Sequence, residues 1–85
     1  MMNTTHATNL PLSALQRNDT ARIERIEGEQ PIIQRLMAMG LLTGKIVKVV
    51  RIAPLDDPIA VESEGQIISL RRRDATDVIV TRLES

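Results

Sequence analysis

Only one stretch of this chain, Pro31 to Met39, is long enough and spaced correctly for an amphipathic helix. Most of the remaining apolar residues fall in short β-branched runs, cut apart by Gly, Pro, Asn and Asp. That pattern restricts the chain to a small, mainly β fold with a single inserted helix. In the helical stretch, Ile32, Ile33, Leu36 and Met37 form an apolar stripe, and Pro31 suits the first helical position, where no N–H is needed. Gly40 stops the helix by taking up left-handed backbone, and Leu41 is expected to fold back on Leu36.

The strands follow from the same reading. Thr20 to Glu27 alternates around Ala21 and Ile23 and then shifts phase to reach Ile26, the mark of a bulged strand. Lys45 to Ala53 is a β-branched run with both faces partly covered. Ile59 and Val61 alternate with polar neighbours, Glu64 and Gly65 make a tight turn, and Gln66 to Leu70 returns as the second arm of a hairpin. Val78 to Val80 reads as a last short strand. Leu12 and Leu15, three apart behind Pro11, suit one helical turn over an open barrel end, and Arg71 to Asp77 holds at most another. The expectation is a small SH3-like barrel of about five antiparallel strands over residues 10–85, closed so that no sheet edge is left. Met1 to Asn9, small and polar, reads as a flexible tail.

Composition narrows the function. A chain of 85 residues with 42% hydrophobic residues supports one core and no deep catalytic cleft. It has no Phe, Tyr or Trp, so it lacks the rings on which single-stranded nucleic acids stack and with which proline-rich peptides are gripped. A formal net charge of zero argues against a general nucleic-acid binder. With no cysteine there is no disulfide, thiolate nucleophile or thiolate metal site, and no apolar stretch approaches membrane-spanning length. The expected location is the cytoplasm.

Candidate chemistry is sparse. His6 has no ligand-type partner at i+3 or i+4 and reads as a surface residue. Asp56 and Asp57 are adjacent between two prolines: they suit a turn, or a weak hold on a divalent cation for which no third ligand follows. Arg71, Arg72 and Arg73 form either an array of donors for an anion or a surface paired with Asp74 and Asp77. Met39, Leu41 and Leu42 mark an apolar helix end. Leu55, between Pro54 and Pro58, either anchors a partner or folds back over the barrel mouth. No nucleophile elbow, phosphate loop or metal-binding helix motif occurs, so no catalytic residue is assigned and no enzyme is expected.

Taken in order, these segments resemble the FeoA family of small SH3-like barrels, which is similar in turn to the C-terminal barrel of DtxR-type repressors. The resemblance runs from about Leu10 to Leu83. It opens on Leu12 and Leu15 and continues through Ala21, Arg22, Ile23 and Ile26. At the helix end it rests on Arg35, Leu36, Met39, Gly40, Leu41 and Gly44. The loop supplies Ala53, Pro54, Leu55, Asp57 and Pro58, and the last segment Ser69, Leu70, Arg71, Arg72 and Ala75. Three positions depart from the family pattern: Asn18 and Asp56 stand where glycine is favoured, and Thr43 where proline is. Asn and Asp tolerate left-handed backbone better than other non-glycine residues, so both turns are expected to survive.

The resemblance implies a cytoplasmic accessory of a FeoB-type ferrous iron transporter, which carries a cytosolic GTP-binding domain. It would act by binding that partner and not by turning over a substrate. The contact residues expected are Met39, Leu41, Leu42, Pro54, Leu55, Asp57, Pro58, Arg71 and Arg72. The alternative is a small metal-binding or metal-sensing barrel that uses Asp56, Asp57 and His6. No cofactor is expected, and an open strand edge would leave room for homo-oligomers.

Overall fold

The alternation of β-branched residues is resolved, in a computed structural model that describes residues 8–84, as one antiparallel sheet of six strands. The strands are β1 (Asn9–Pro11), β2 (Thr20–Ile26), β3 (Ile46–Ile52), β4 (Ile59–Ser63), β5 (Gln66–Leu70) and β6 (Val78–Leu83). Their spatial order is β1-β6-β2-β3-β4-β5. The nine-residue helix α1 (Gln30–Ala38) is inserted between β2 and β3, and the single turn α2 (Arg72–Thr76) precedes β6. One 3-10 turn, Leu12–Ala14, follows β1. The mainly β, SH3-like architecture read from the sequence is therefore the observed one.

Three features of the sheet differ from the expectation. The sixth strand, β1, draws Asn9 out of the polar stretch assigned to the tail and sets it opposite Thr81. Because β6 pairs β1 on one side and β2 on the other, it runs to Leu83 and is longer than its apolar core of Val78 to Val80 suggested. The barrel is also not sealed by backbone pairing: β5 pairs only with β4, so its outer edge stays open among the described residues.

Two bulges explain how strands with imperfect alternation still fill the core. Register shifts between Ile23 and Arg25 of β2, so that Ile23 is fully buried and Ile26 also packs on the core. A second shift, between Val49 and Arg51 of β3, does the same for Val49 and Ile52. An extra residue in each strand moves the next apolar side chain back to the inner face, and only the first of these was legible in the sequence.

The end of α1 closes as expected. Gly40 has φ +106°, its N–H donates to Met37 O at 2.9 Å, and the Leu41 N–H donates to Leu36 O at 3.2 Å. These are the paired bonds of a Schellman cap, and both Leu36 and Leu41 are fully buried beneath it. Pro31 falls one position later than expected, at the second helical residue, still among the donors that need no intrahelical acceptor. Met37 is 47% exposed and does not belong to the buried stripe, whose inner side is made by Ile32, Leu36 and Met39. Asn18 (φ +79°) and Asp56 (φ +66°) both adopt left-handed backbone, which accounts for their replacing glycine.

One polar contact ties β2 to β6. The buried Thr81 hydroxyl donates to Glu24 Oε2 at 2.7 Å, and Arg22 donates to the same oxygen through Nε at 3.1 Å and Nη2 at 2.9 Å. The Thr81 hydrogen bond first, and the Arg22 contact second, hold the Glu24 carboxyl below its ordinary value of 4.5. A carboxylate favoured in the folded state stabilises it fully above its unfolded pKa, and that contribution is lost as pH falls through the lowered one. An NMR titration is expected to place the Glu24 midpoint below 4.5. Glu24→Gln should flatten the loss of stability on acidification through that same range, and a midpoint at or above the ordinary value would contradict the contact.

Candidate interaction site

A leucine in left-handed backbone is rarely tolerated, because its Cβ crowds the carbonyl oxygen. In the loop after β3, Leu55 has φ +70° and ψ +15°, and the next residue, Asp56, is also left-handed. The loop is cinched by Asp56 N–H donating to Ala53 O at 2.9 Å and Ala53 N–H donating to Pro58 O at 3.1 Å. The outcome for Leu55 is full projection: its side chain is 97% exposed and does not fold back over the barrel.

Arg72 holds that loop in place. Its Nε donates to Asp56 O at 2.7 Å and its Nη1 to Ser13 O at 2.7 Å, so one guanidinium joins the Leu55 loop to the 3-10 turn after β1. The Arg72 backbone N–H donates to Asp57 Oδ1 at 2.9 Å, and Asp57 thereby caps the first turn of α2 from outside. Ser13 Oγ and Thr76 Oγ1 lie 3.1 Å apart across the same junction. Pro54, Leu55, Asp57, Pro58 and Arg72 are thus brought together, with Leu55 as the apolar tip and the others as its mount.

The remaining expected contacts separate. Leu41 is fully buried beneath the helix cap, so it supports the fold and offers a partner no surface. Leu42 is 37% exposed, and the neighbouring exposed apolar residue is Met37, which sequence reading had placed inside. Met39 is half-buried and lines a different hollow with Arg71. Of the three arginines, only Arg72 is committed to the loop. Asp74 pairs instead with Arg35 at 2.9 Å, a pairing the sequence did not announce because 39 residues separate the two.

Among the described residues the carboxylates of Asp56 and Asp57 stand without a third ligand. Asp57 is engaged by the Arg72 amide, and Asp56 turns its backbone carbonyl to the Arg72 guanidinium, so a cation at this loop would meet a fixed positive charge. Among the described residues no group of three or more His, Asp or Glu side chains converges, and His6 lies outside them. No helix among the described residues is long and apolar enough to cross a membrane.

If Arg72 is the mount, Arg72→Ala removes two charged hydrogen bonds, one exposed and one partly buried, a combined loss of about 2–4 kcal/mol in unfolding free energy where one such bond contributes about 1.5–3 kcal/mol. Amide exchange at Asp56 should quicken with it. Arg72→Lys, whose single ammonium has no planar fork to span both carbonyls, should recover less than half of the loss. Unchanged exchange at Asp56 in the alanine variant would remove the clamp from the account.

Comparison with known proteins places the whole barrel in a family. The FeoA domain family matches residues 10–82. The chain is 39% identical over 74 residues to an Fe(2+) transport protein A/Fe(2+) transporter FeoB fusion protein of Porphyromonas gingivalis, covering 87% of this chain but only 9% of that one. The solution structure of a FeoA protein from Chlorobium tepidum superposes with a TM-score of 0.81 at 37% identity, over 88% of this chain and 71% of that one. A manganese-dependent transcriptional repressor, 18% identical, shares the fold with a TM-score of 0.82, over 93% of this chain and 44% of the repressor. With an ordered set of turn, cap and loop residues in place and a family match across nearly the whole barrel, this chain belongs to the FeoA family.

Proposed function

We propose that this chain is a non-catalytic accessory of bacterial ferrous iron uptake, docking in the cytoplasm on the cytosolic part of a FeoB-type transporter. The observation that carries this reading is Leu55: an almost fully exposed leucine, in backbone that a leucine disfavours, on a loop fixed from two sides by Arg72. An exposed leucine alone is ordinary. A leucine kept at a glycine-like position and mounted rigidly presents an anchor whose ordering has already been met by the fold, so little entropy is lost on binding. Pro54 and Pro58 flank the tip and further restrict it.

The choice of partner is supported by the Porphyromonas gingivalis relative, whose name joins transport protein A and FeoB in one chain. A partner covalently joined in one organism is the first candidate for a non-covalent one in another. Lacking aromatic rings, the contact would depend on aliphatic packing around Leu55 with Asp56 exposed at the rim.

Leu55→Gly separates binding from folding. Glycine relieves left-handed crowding worth about 1 kcal/mol, while its extra freedom in the unfolded chain removes a comparable amount, so Tm should stay within about 4 °C. Titrated against the transporter's purified cytosolic part, the native chain should bind with a Kd of about 100 μM or tighter, and Leu55→Gly at least tenfold more weakly. No saturable binding of the native chain by 1 mM, roughly −4 kcal/mol, would overturn the proposal.

A further inference from the structure

The open edge of β5 offers a second surface, lined in part by Arg71 and Arg73, the two arginines that the Leu55 loop does not engage. Gln66 follows a two-residue turn, Glu64 and Gly65, both with positive φ, so Ser63 and Gln66 exchange the first pair of hairpin bonds. Alternation along an antiparallel ladder then gives bonds to β4 from Gln66, Ile68 and Leu70. Ile67 and Ser69 are left with their N–H and C=O groups directed outward, and among the described residues no other strand pairs there.

This edge does not face open solvent on all sides. Between it and α1 run two hollows that share Met39 and Ser69. One, of about 260 Å³, is lined by Gln66, Ile67 and Ile68 as well, and Ile67 is 61% exposed within it. The other, of about 410 Å³, is lined by Leu70, Arg35, Arg71, Arg73 and Asp74. Three guanidiniums there face one carboxylate, and that carboxylate is already bonded to Arg35. Arg71 and Arg73 have no carboxylate within ion-pair distance among the described residues. A chain of zero net charge has thus concentrated uncompensated positive charge at one end of a groove between a helix and an unpaired strand.

We infer that this groove takes an extended segment of a protein partner, added as a seventh strand along β5, with an apolar side chain over Ile67 and Met39 and acidic side chains at Arg71 and Arg73. Strand addition at a sheet edge beside a helix supplies main-chain bonds for affinity and side-chain hollows for selection. A lone anion would use the arginines and leave the outward groups of Ile67 and Ser69 unbonded. A second copy of this chain would place Ile67 in the groove but brings Gln66 and Ser69, not acidic residues, from its own β5. The groove is distinct from the Leu55 loop, so this inference stands or falls apart from the docking proposed above.

The test uses a short fluorescein-labelled peptide of alternating valine and glutamate, with a valine and lysine peptide as its control, added to the whole chain. The acidic peptide is expected to bind saturably with a Kd of about 1 mM or tighter, and to slow amide exchange at Ile67 and Ser69 while Ile68, already bonded to β4, changes little. The double variant Arg71→Glu with Arg73→Glu should weaken the acidic peptide at least tenfold with an unchanged exchange pattern in β4. Binding that leaves Ile67 and Ser69 unprotected, and that inorganic phosphate displaces, would overturn strand addition in favour of a simple anion site. Protection of the two amides that rises with the concentration of the chain alone would assign the edge to a second copy and overturn the inference equally, as would no binding of the acidic peptide.

Discussion

Everything in this barrel depends on closing a core with no side chain bulkier than leucine or isoleucine. Aromatic rings bury a large area each, so a few of them fill much of a small core. Aliphatic residues fill less each, so the backbone must return more of them to the inner face, a correction that the bulges make in β2 and β3 at Ile26 and Ile52. The Schellman cap makes it again at the end of α1, where the turn at Gly40 drops Leu41 into the core beside Leu36. The core is continuous from Leu12 to Val80 because these local irregularities are in place.

Much of this could be read from the residues. Local chemistry was legible wherever one or two adjacent residues decide the backbone: the Gly40 stop, the Glu64–Gly65 hairpin and the left-handed Asn18 and Asp56 all rest on conformational preferences intrinsic to those residue types. The second bulge was not legible, since Val47, Val49, Val50 and Ile52 satisfy a strand covered on both faces as well as a bulged one. Asn9 was misread because a polar residue at a strand end is indistinguishable from a polar tail until Thr81 is found opposite it.

The interaction surfaces were half legible for a related reason. Proline spacing located the Leu55 loop, but the contact that holds it comes from Arg72, 17 residues further along the chain, through its bonds to Asp56 and Ser13. Arginine runs advertise charge without saying which member is committed: Arg72 belongs to the fold, while Arg71 and Arg73 remain at the groove. Leu41 shows the converse error, an apolar residue near a surface feature that the helix cap takes inside. Long-range polar contacts, unlike turns, leave no periodic trace in a sequence.

The separation of charge at the β5 groove gives a neutral molecule an electric dipole. A neutral body is drawn toward a charged partner only weakly and at short range, yet its dipole is turned by the partner's field, so an acidic surface would meet the arginine end first. Orientation rather than attraction then limits how often a collision is productive. Since the field reaches only about 8 Å at physiological ionic strength, added salt would slow association even though charge counting predicts no effect at all.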